Sequence, residues 1–300
     1  MLDVIIVGGG PAGLSAALLL GRARRRTVIC DAGTPRNRAS HALHGFLSRD
    51  GIPPAELLRT GRDEIGRYDI EWRSERVTCV CRGADGFEAQ LEGGDRLQAR
   101  KLLIATGVSD QLPAIEGFQA CYGRSVHHCP YCDGWEWRDA PLAVLGNGKA
   151  GAALALALLT WSADVQLFTN GPARLPTPVR QQLQAHRIAV HDQPIDALQH
   201  ADGRLDAVRL RTGQAVQRSA LFFTTGQHQQ ESFASQLGCE FTRKGTVKTD
   251  RYGQTCVPGV FVVGDASFDV QFVVVAAAEG AKAAVLINKQ FQSEAGQALA

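Results

Sequence analysis

Residues 4–13 of this 300-residue chain read VIIVGGGPAG, and they decide the fold. The apolar run Val4–Val7 is typical of a strand buried on both faces, and the apolar stretch Leu14–Leu20 after the glycines is typical of a helix. A second strand, Thr27–Cys30, ends at Asp31. Strand, glycine-rich turn, helix and strand in this order predict a βαβ unit that binds a dinucleotide.

Three glycines and one acid carry the binding prediction. Gly8 allows the tight turn, Gly10 lets the backbone approach a pyrophosphate, and Gly13 lets the helix pack closely on the strand. Asp31 is predicted to accept a hydrogen bond from a ribose hydroxyl.

The same pattern recurs in the middle of the chain. The apolar run Leu142–Leu145 precedes the glycine loop GNGKAG at residues 146–151, and a helical stretch and the strand Val165–Phe168 follow. Similar segments close both units, LIATG at residues 103–107 and FFTTG at residues 222–226. The sequence therefore predicts an α/β fold with two doubly wound, dinucleotide-binding (Rossmann-like) domains.

Between the two glycine loops lies CPYCDG, residues 129–134. Two cysteines at this spacing can close a small disulfide at the start of a helix, where backbone amides and Asp133 would tune the thiolate. This predicts electron transfer between a cofactor and a dithiol. The alternative is a structural zinc site, with His127 and His128 as further ligands and Cys79 and Cys81 as a second pair; the two histidines could also bias the Cys129 thiolate.

The bulk composition excludes several classes of protein. A net charge of +2 with 21% charged residues offers no basic stripe for nucleic acid. The longest apolar stretch, Ala152–Leu159, is far short of a membrane span, and the first residues do not look like a signal peptide. Eight scattered cysteines in 300 residues do not make a disulfide scaffold. We therefore expect a cytoplasmic protein with no membrane or nucleic-acid partner.

Taken together, GGGPAG, ATG, CPYCDG, the second glycine loop and VPGVFVVGD resemble the low-molecular-weight thioredoxin reductase family of FAD-dependent disulfide oxidoreductases. The resemblance implies bound FAD, a homodimer, and a thioredoxin-like protein or a small dithiol or disulfide as substrate. It also implies that the first domain is split, over residues 1–113 and 246–300, and that residues 114–245 form the inserted domain that carries the CxxC.

The resemblance assigns roles residue by residue. Cys132 would lie against the flavin, Cys129 would be the interchange thiol that attacks the substrate, and Asp133 would give and take the proton. The residues expected to bind FAD are Gly8, Gly10, Gly13, Asp31, Ala105, Thr106, Gly107, Asp265 at the ribityl chain and Gln271 near the flavin ring.

The sequence departs from the family in its second unit. The offset from Gly8 to Asp31, applied from Gly146, reaches Thr169. Thr169 and the residue after it, Asn170, supply neither a basic cluster for NADPH nor an acid for NADH. The nearest cation is Arg174, and position 270, where the family carries an arginine, is Val270. NADPH use is therefore expected to be weak or lost. A conventional NADPH-dependent thioredoxin reductase and a catalytically silent flavin-binding interaction module stay open as alternatives.

Overall fold

The computed structural model describes residues 1–224, 226–267 and 270–296. The chain divides into two compact units, of which unit 2 interrupts unit 1 in the sequence. Unit 1 comprises Met1–Arg38, Pro54–Ser109 and Gln227–Ala300, and unit 2 comprises Ala39–Pro53 and Asp110–Gly226.

These boundaries differ from the expected ones at the return crossing. The sequence placed that crossing near Gly245, whereas the structure places it after Gly226. The reason is packing: Phe233, Ala234 and Cys239 are buried in the same hydrophobic core as the strands of unit 1. The segment Ala39–Pro53, which the sequence assigned to the first domain, is part of unit 2.

The strands and helices follow one another in the order that the glycine loops predict. Up to residue 111 they are β1 (Leu2–Val7), α1 (Pro11–Arg22), β2 (Thr27–Cys30), α2 (Pro54–Ile65), β3 (Ile70–Arg73), β4 (Val77–Gly83), β5 (Gly86–Leu91), β6 (Arg96–Ile104) and β7 (Val108–Gln111). From residue 118 they are α3 (Phe118–Cys121), β8 (Val126–His127), α4 (Pro130–Asp133), β9 (Leu142–Leu145), α5 (Gly148–Leu158), β10 (Val165–Phe168), α6 (Thr177–Ala185), β11 (Ala189–His191), β12 (Ile195–Ala201), β13 (Arg204–Leu210), β14 (Ala215–Gln217), β15 (Ala220–Phe223) and β16 (Gly226–Gln229). The last are α7 (Phe233–Gln236), β17 (Val260–Val262) and α8 (Val273–Glu294).

Unit 1 is built on a seven-stranded sheet in the order β3-β2-β1-β6-β5-β4, with β17 also paired to β6. Strands β3, β2, β1, β6 and β17 run parallel, while β4 and β5 add an antiparallel edge. Helix α8 packs on α1 so closely that a Cβ on Gly280 would lie 1.9 Å from the carbonyl oxygen of Ala12. This sheet brings the carboxyl ends of β1, β2, β6 and β17 to one edge, where a doubly wound fold binds its ligand.

Unit 2 repeats the plan with a five-stranded parallel sheet, β11-β10-β9-β15-β8, and a three-stranded antiparallel sheet, β12-β13-β14. Its central strand β9 is buried at every position, as the run Leu142–Leu145 predicted. The prediction of an α/β fold with two doubly wound domains, the second inserted into the first, is confirmed. Within the described residues, no helix combines the length and the apolar character needed to cross a membrane.

Candidate functional site

The nine residues predicted to bind FAD all lie in unit 1, and most follow the carboxyl ends of neighbouring parallel strands. Gly8 has a φ of +109°, and an added Cβ would lie 2.4 Å from the carbonyl oxygen of Ala105. A Cβ on Gly13 would lie 1.9 Å from the carbonyl oxygen of Gly8. In contrast, a Cβ on Gly10 would meet nothing within 4 Å. The loop is therefore tightly packed toward the protein and open at Gly10, which fits a ligand that approaches the backbone there.

Two polar groups beside this loop fit the dinucleotide. The hydroxyl oxygen of Thr106 is buried and has no hydrogen-bond partner, so it is available to a ligand. The amide of Gly9 donates to Oδ1 of Asp31 over 3.1 Å, which fixes the carboxylate at the end of β2. Ala105 and Gly107 flank Thr106 directly after β6, and the Ala105 amide donates to the carbonyl of Val7 over 2.7 Å. The unpartnered Thr106 hydroxyl and the Asp31 carboxylate fit a dinucleotide at this edge of the sheet.

The two remaining predicted flavin contacts, Asp265 and Gln271, are joined by one side chain. Nη1 of Arg36 lies 2.9 Å from Oδ2 of Asp265 and 2.6 Å from Oε1 of Gln271. The side-chain amides of Gln271 and Gln227 also hydrogen-bond to each other, each Nε2 donating to the Oε1 of the other residue at 2.8 and 2.9 Å. The sequence has Val270 where an arginine was expected, and the structure brings the guanidinium of Arg36 to Gln271 instead, from the segment after β2.

The three predicted catalytic residues lie together in unit 2, in and beside the short helix α4. Cys129 and Cys132 form a disulfide with a Cα–Cα distance of 5.3 Å, which is within the normal range. The amide of Cys132 lies 3.1 Å from the sulfur of Cys129, where it would face negative charge once the disulfide is reduced. Tyr131 and Trp135 are exposed beside the disulfide.

Asp133 is bound by a histidine from a neighbouring strand. Nδ1 of His127, at the end of β8, lies 3.2 Å from Oδ1 of Asp133, and the histidine side chain is 6% exposed. The indole Nε1 of Trp137 donates to Nε2 of the same histidine over 3.0 Å. His128 points to other neighbours, with its ring against the edge of Phe223. Asp133, next to the CxxC, thus belongs to a cluster with His127 and Trp137 that the sequence suggested only through the adjacent histidines.

The second glycine loop is held by its own asparagine. Oδ1 of Asn147 accepts from the amides of Gly148 and Arg174 at 2.7 and 2.8 Å. Its Nδ2 donates to the carbonyls of Thr169 and Pro172 at 3.2 and 3.1 Å. The Asn147 side chain therefore ties the first turn of α5 to the segment after β10.

Of the two residues at the expected charge-reading position, Thr169 is buried and Asn170 is exposed. Thr169 is 4% exposed, and its hydroxyl donates to the carbonyl of Gly171 over 2.7 Å. Asn170 has a φ of +49°, and its Oδ1 accepts from the amide of Ile195 over 2.8 Å. Both side chains are engaged by the backbone of unit 2.

The other cysteines do not assemble a metal site. Among the residues that the structure describes, no group of three or more histidines, cysteines or acids is placed to hold a metal ion, so the zinc alternative gains no support there. Cys79 and Cys81 are exposed free thiols on β4, in unit 1. Burial raises the pKa of the Cys30 thiol to about 12, which fits its expected place as a small residue of the core.

Sequence reasoning missed three residues of these sites. Arg36 had no motif, although its place shortly after Asp31 was a usable signal. Trp137 belongs to no motif, and Asn147 is only one position of the glycine loop. The partners of Arg36 and Trp137 lie 229, 235 and 10 residues away along the chain, where no motif points to them.

The family described as "Pyridine nucleotide-disulphide oxidoreductase" matches residues 2–280. A "Probable thioredoxin reductase" of Arthroderma benhamiae is 32% identical over 89% of this chain and 74% of the relative.

Two solved structures are similar along nearly the whole chain. "Crystal structure of HlmI" has a TM-score of 0.94 and 40% identity, and the match covers 98% of this chain and 93% of that one. A putative thioredoxin reductase TrxB from Bacillus anthracis also has a TM-score of 0.94, with 32% identity over 98% of this chain and all of the other.

Proposed function

Since the chain belongs to the pyridine nucleotide-disulphide oxidoreductase family, as a thioredoxin reductase-like FAD-dependent enzyme, we propose that it exchanges electrons between FAD held by unit 1 and the Cys129–Cys132 pair of unit 2, with little or no use of NADPH. The prediction of the family and of the enzyme class is confirmed, while the thiol chemistry, the site residues and the doubt about NADPH are parts of the proposal.

The chemistry needs three side chains of unit 2. A substrate thiolate attacks the sulfur of Cys129, the Cys129–Cys132 bond breaks, and Cys132 leaves with the electron pair. A second substrate thiol then displaces Cys129, so that the substrate becomes a disulfide and the enzyme a dithiol. Asp133, next to Cys132, moves the proton at the leaving sulfur in either direction. FAD supplies two-electron acceptance and donation, and Gly10, Thr106, Asp31 and Asp265 would hold it.

One observation supports weak NADPH use above the others: the second glycine loop has no charged group at its reading position, where the side chains of Thr169 and Asn170 hydrogen-bond to nearby backbone. The side chain of Asn147 also accepts a hydrogen bond from the Gly148 amide. A missing charge-assisted hydrogen bond to a 2′-phosphate costs about 1.5–3 kcal/mol, or roughly 10- to 150-fold in affinity.

A conventional NADPH-dependent reductase is the second candidate, and one observation favours it. Arg174 is exposed, and its backbone is tied to the glycine loop through Asn147. Its guanidinium therefore starts beside the loop and could reach a 2′-phosphate.

The substrate we propose is a thioredoxin-like protein or a small dithiol or disulfide. The thioredoxin reductase names of two similar proteins support the first, and so do the exposed aromatic side chains of Tyr131 and Trp135 beside the disulfide. A homodimer and a cytoplasmic location complete the proposal; light scattering of the purified protein tests the dimer.

The decisive experiment is anaerobic stopped-flow reduction of the flavin in the purified holoprotein. We expect slow reduction by NADPH, little preference for NADPH over NADH, and ready reduction by a dithiol such as dithiothreitol. Arg174→Gln serves as the matched variant, because it removes the exposed guanidinium while the backbone amide of residue 174 can still donate to Asn147.

Fast, saturable reduction by micromolar NADPH that Arg174→Gln abolishes would replace the proposal with the conventional reductase. Flavin that neither NADPH nor any dithiol reduces would indicate the silent flavin-binding module. A colourless protein that takes up no FAD would contradict the assignment of unit 1.

A further inference from the structure

The hydrogen bonds of His127 determine where its ring proton lies. The indole N–H of Trp137 can only donate, so Nε2 of His127, 3.0 Å away, must accept. In the neutral ring the proton is then on Nδ1, and Nδ1 lies 3.2 Å from Oδ1 of Asp133. Trp137 therefore donates to one ring nitrogen of His127, and the N–H on the other ring nitrogen lies next to the carboxylate of Asp133.

Strand pairing and side-chain packing hold His127 in this position between Trp137 and Asp133. His127 is fixed at the backbone by strand pairing to Phe222 of β15 and lies 5.5 Å from the ring of that residue, centroid to centroid. Its side chain is 6% exposed, whereas the Asp133 side chain is 24% exposed. The ring is therefore buried, and the carboxylate is the more exposed of the two side chains.

From this geometry we infer that His127 is a positioning residue for Asp133, held in its Nδ1–H tautomer by Trp137. Its donation to Oδ1 orients the carboxylate and leaves Oδ2 as the oxygen that exchanges the proton with the thiol of Cys132. The inference rests on the proposed function, because it deepens the role of Asp133 in the same exchange. In each turnover the proton leaves the thiol sulfur for Oδ2, or returns from it, while the histidine keeps its own proton.

The first test identifies the tautomer of His127 and does not depend on enzyme activity. Two-bond ¹H–¹⁵N correlation spectra of the holoprotein, labelled with ¹⁵N-histidine and assigned with His127→Asn, separate a protonated Nδ1 from a protonated Nε2. We expect the Nδ1–H form for His127 in the wild type, and loss of that single form in Trp137→Phe, which removes the donor to Nε2. A wild-type Nε2–H form would overturn the inference whether or not the protein turns over a disulfide.

The second test asks whether His127 acts through Asp133. His127→Leu removes the donor and keeps the position apolar, and we expect kcat for dithiol–disulfide exchange to fall about 10-fold, with KM nearly unchanged. His127→Asn is the matched control, since its amide can replace the Nδ1–H, and it should retain most of the rate. Asp133→Asn alone should slow exchange roughly 100-fold.

The double variant His127→Leu/Asp133→Asn separates positioning from general destabilisation. If His127 works through Asp133, the double variant is no slower than Asp133→Asn. Multiplied losses, or a His127→Asn variant as slow as His127→Leu, would overturn the inference. Failure of the proposed function looks different, because Cys129→Ser or Cys132→Ser would then leave disulfide turnover intact while the tautomer spectrum stayed as expected.

Discussion

Two neighbouring glycines of the first loop should respond in opposite ways to the same added methyl group. A Cβ on Gly10 meets nothing within 4 Å, while a Cβ on Gly13 lies 1.9 Å from the carbonyl oxygen of Gly8. Gly10→Ala should therefore leave the fold intact and weaken FAD, whereas Gly13→Ala should damage the fold itself.

The magnitudes follow from the local geometry. Gly10 has a φ of −73°, which alanine adopts without strain. Loss of the capping glycine destabilises Gly10→Ala, and the less flexible unfolded chain stabilises it, so its free energy of unfolding should change by less than about 1 kcal/mol. At Gly13 the helix must move away by about 1.5 Å (3.4 − 1.9) to reach ordinary contact, at a cost of about 3 kcal/mol or more. The apparent Tm should therefore change by less than about 4 °C in Gly10→Ala and fall by roughly 6–12 °C in Gly13→Ala.

At Gly10 the added methyl group should change the affinity for FAD much more than the stability of the fold. A methyl group in the path of the pyrophosphate should weaken FAD by about 1–3 kcal/mol, or roughly 5- to 150-fold in Kd, and Gly10→Arg should abolish binding. The assay is FAD titration of the stripped protein by flavin fluorescence, with thermal unfolding of the same samples followed by circular dichroism. Gly66→Ala is the control, because its added Cβ stays 3.5 Å from the nearest atom and it lies outside the loop.

Two outcomes would refute this reasoning. Gly10→Ala protein that melts as early as Gly13→Ala would mean that the space at Gly10 is filled by the protein itself. Gly10→Ala protein that binds FAD as tightly as the wild type would mean that the pyrophosphate does not pass there.

Two further predictions concern the thiols and a buried acid. Cys129→Ser and Cys132→Ser should each lose disulfide turnover in a coupled assay while still binding FAD, and full turnover by either variant would reject the paired mechanism. Burial raises the pKa of Glu279, whose carboxylate accepts from the Gly264 amide over 2.7 Å, so its contribution to stability is complete at low pH and is lost as the pH rises through the folded-state pKa. Glu279→Gln, which keeps an acceptor without the charge, should therefore raise the apparent Tm of the FAD-free protein at pH 7, and this gain should vanish near about pH 4. A gain that is equal at both pH values would show that ionisation of Glu279 is not its cause.

The predictions from sequence succeeded where the signal was local. Val4–Val7 and Leu142–Leu145 are buried strands as expected, since a parallel strand covered on both faces must be apolar throughout. The stretch Leu14–Leu20 is helical as expected, although helix α1 runs from Pro11 to Arg22 and so extends beyond it at both ends. Boundaries are the weaker part, because the ends of an element depend on what it packs against.

The return crossing shows the same limit. Nothing in the composition near Gly226 marks it as the end of a unit, and only the burial of Phe233 and Ala234 against the strands of unit 1 assigns that segment. Likewise, the sequence marked Thr169 and Asn170 as uncharged, but only the structure shows their side chains bound to nearby backbone.

Local signals in the sequence were enough for the fold class and the family, and they singled out the proposed reactive pair, because glycines at fixed spacing and a CxxC followed by an acid are local requirements of backbone geometry and thiol chemistry. Only the tertiary structure decided which groups surround them. Arg36 reaches Asp265 and Gln271 across more than 200 positions, and His127 reaches Asp133 because β8 ends beside α4. Such partners are set by strand order and packing, which bring distant residues within hydrogen-bond distance without leaving any periodicity in the chain.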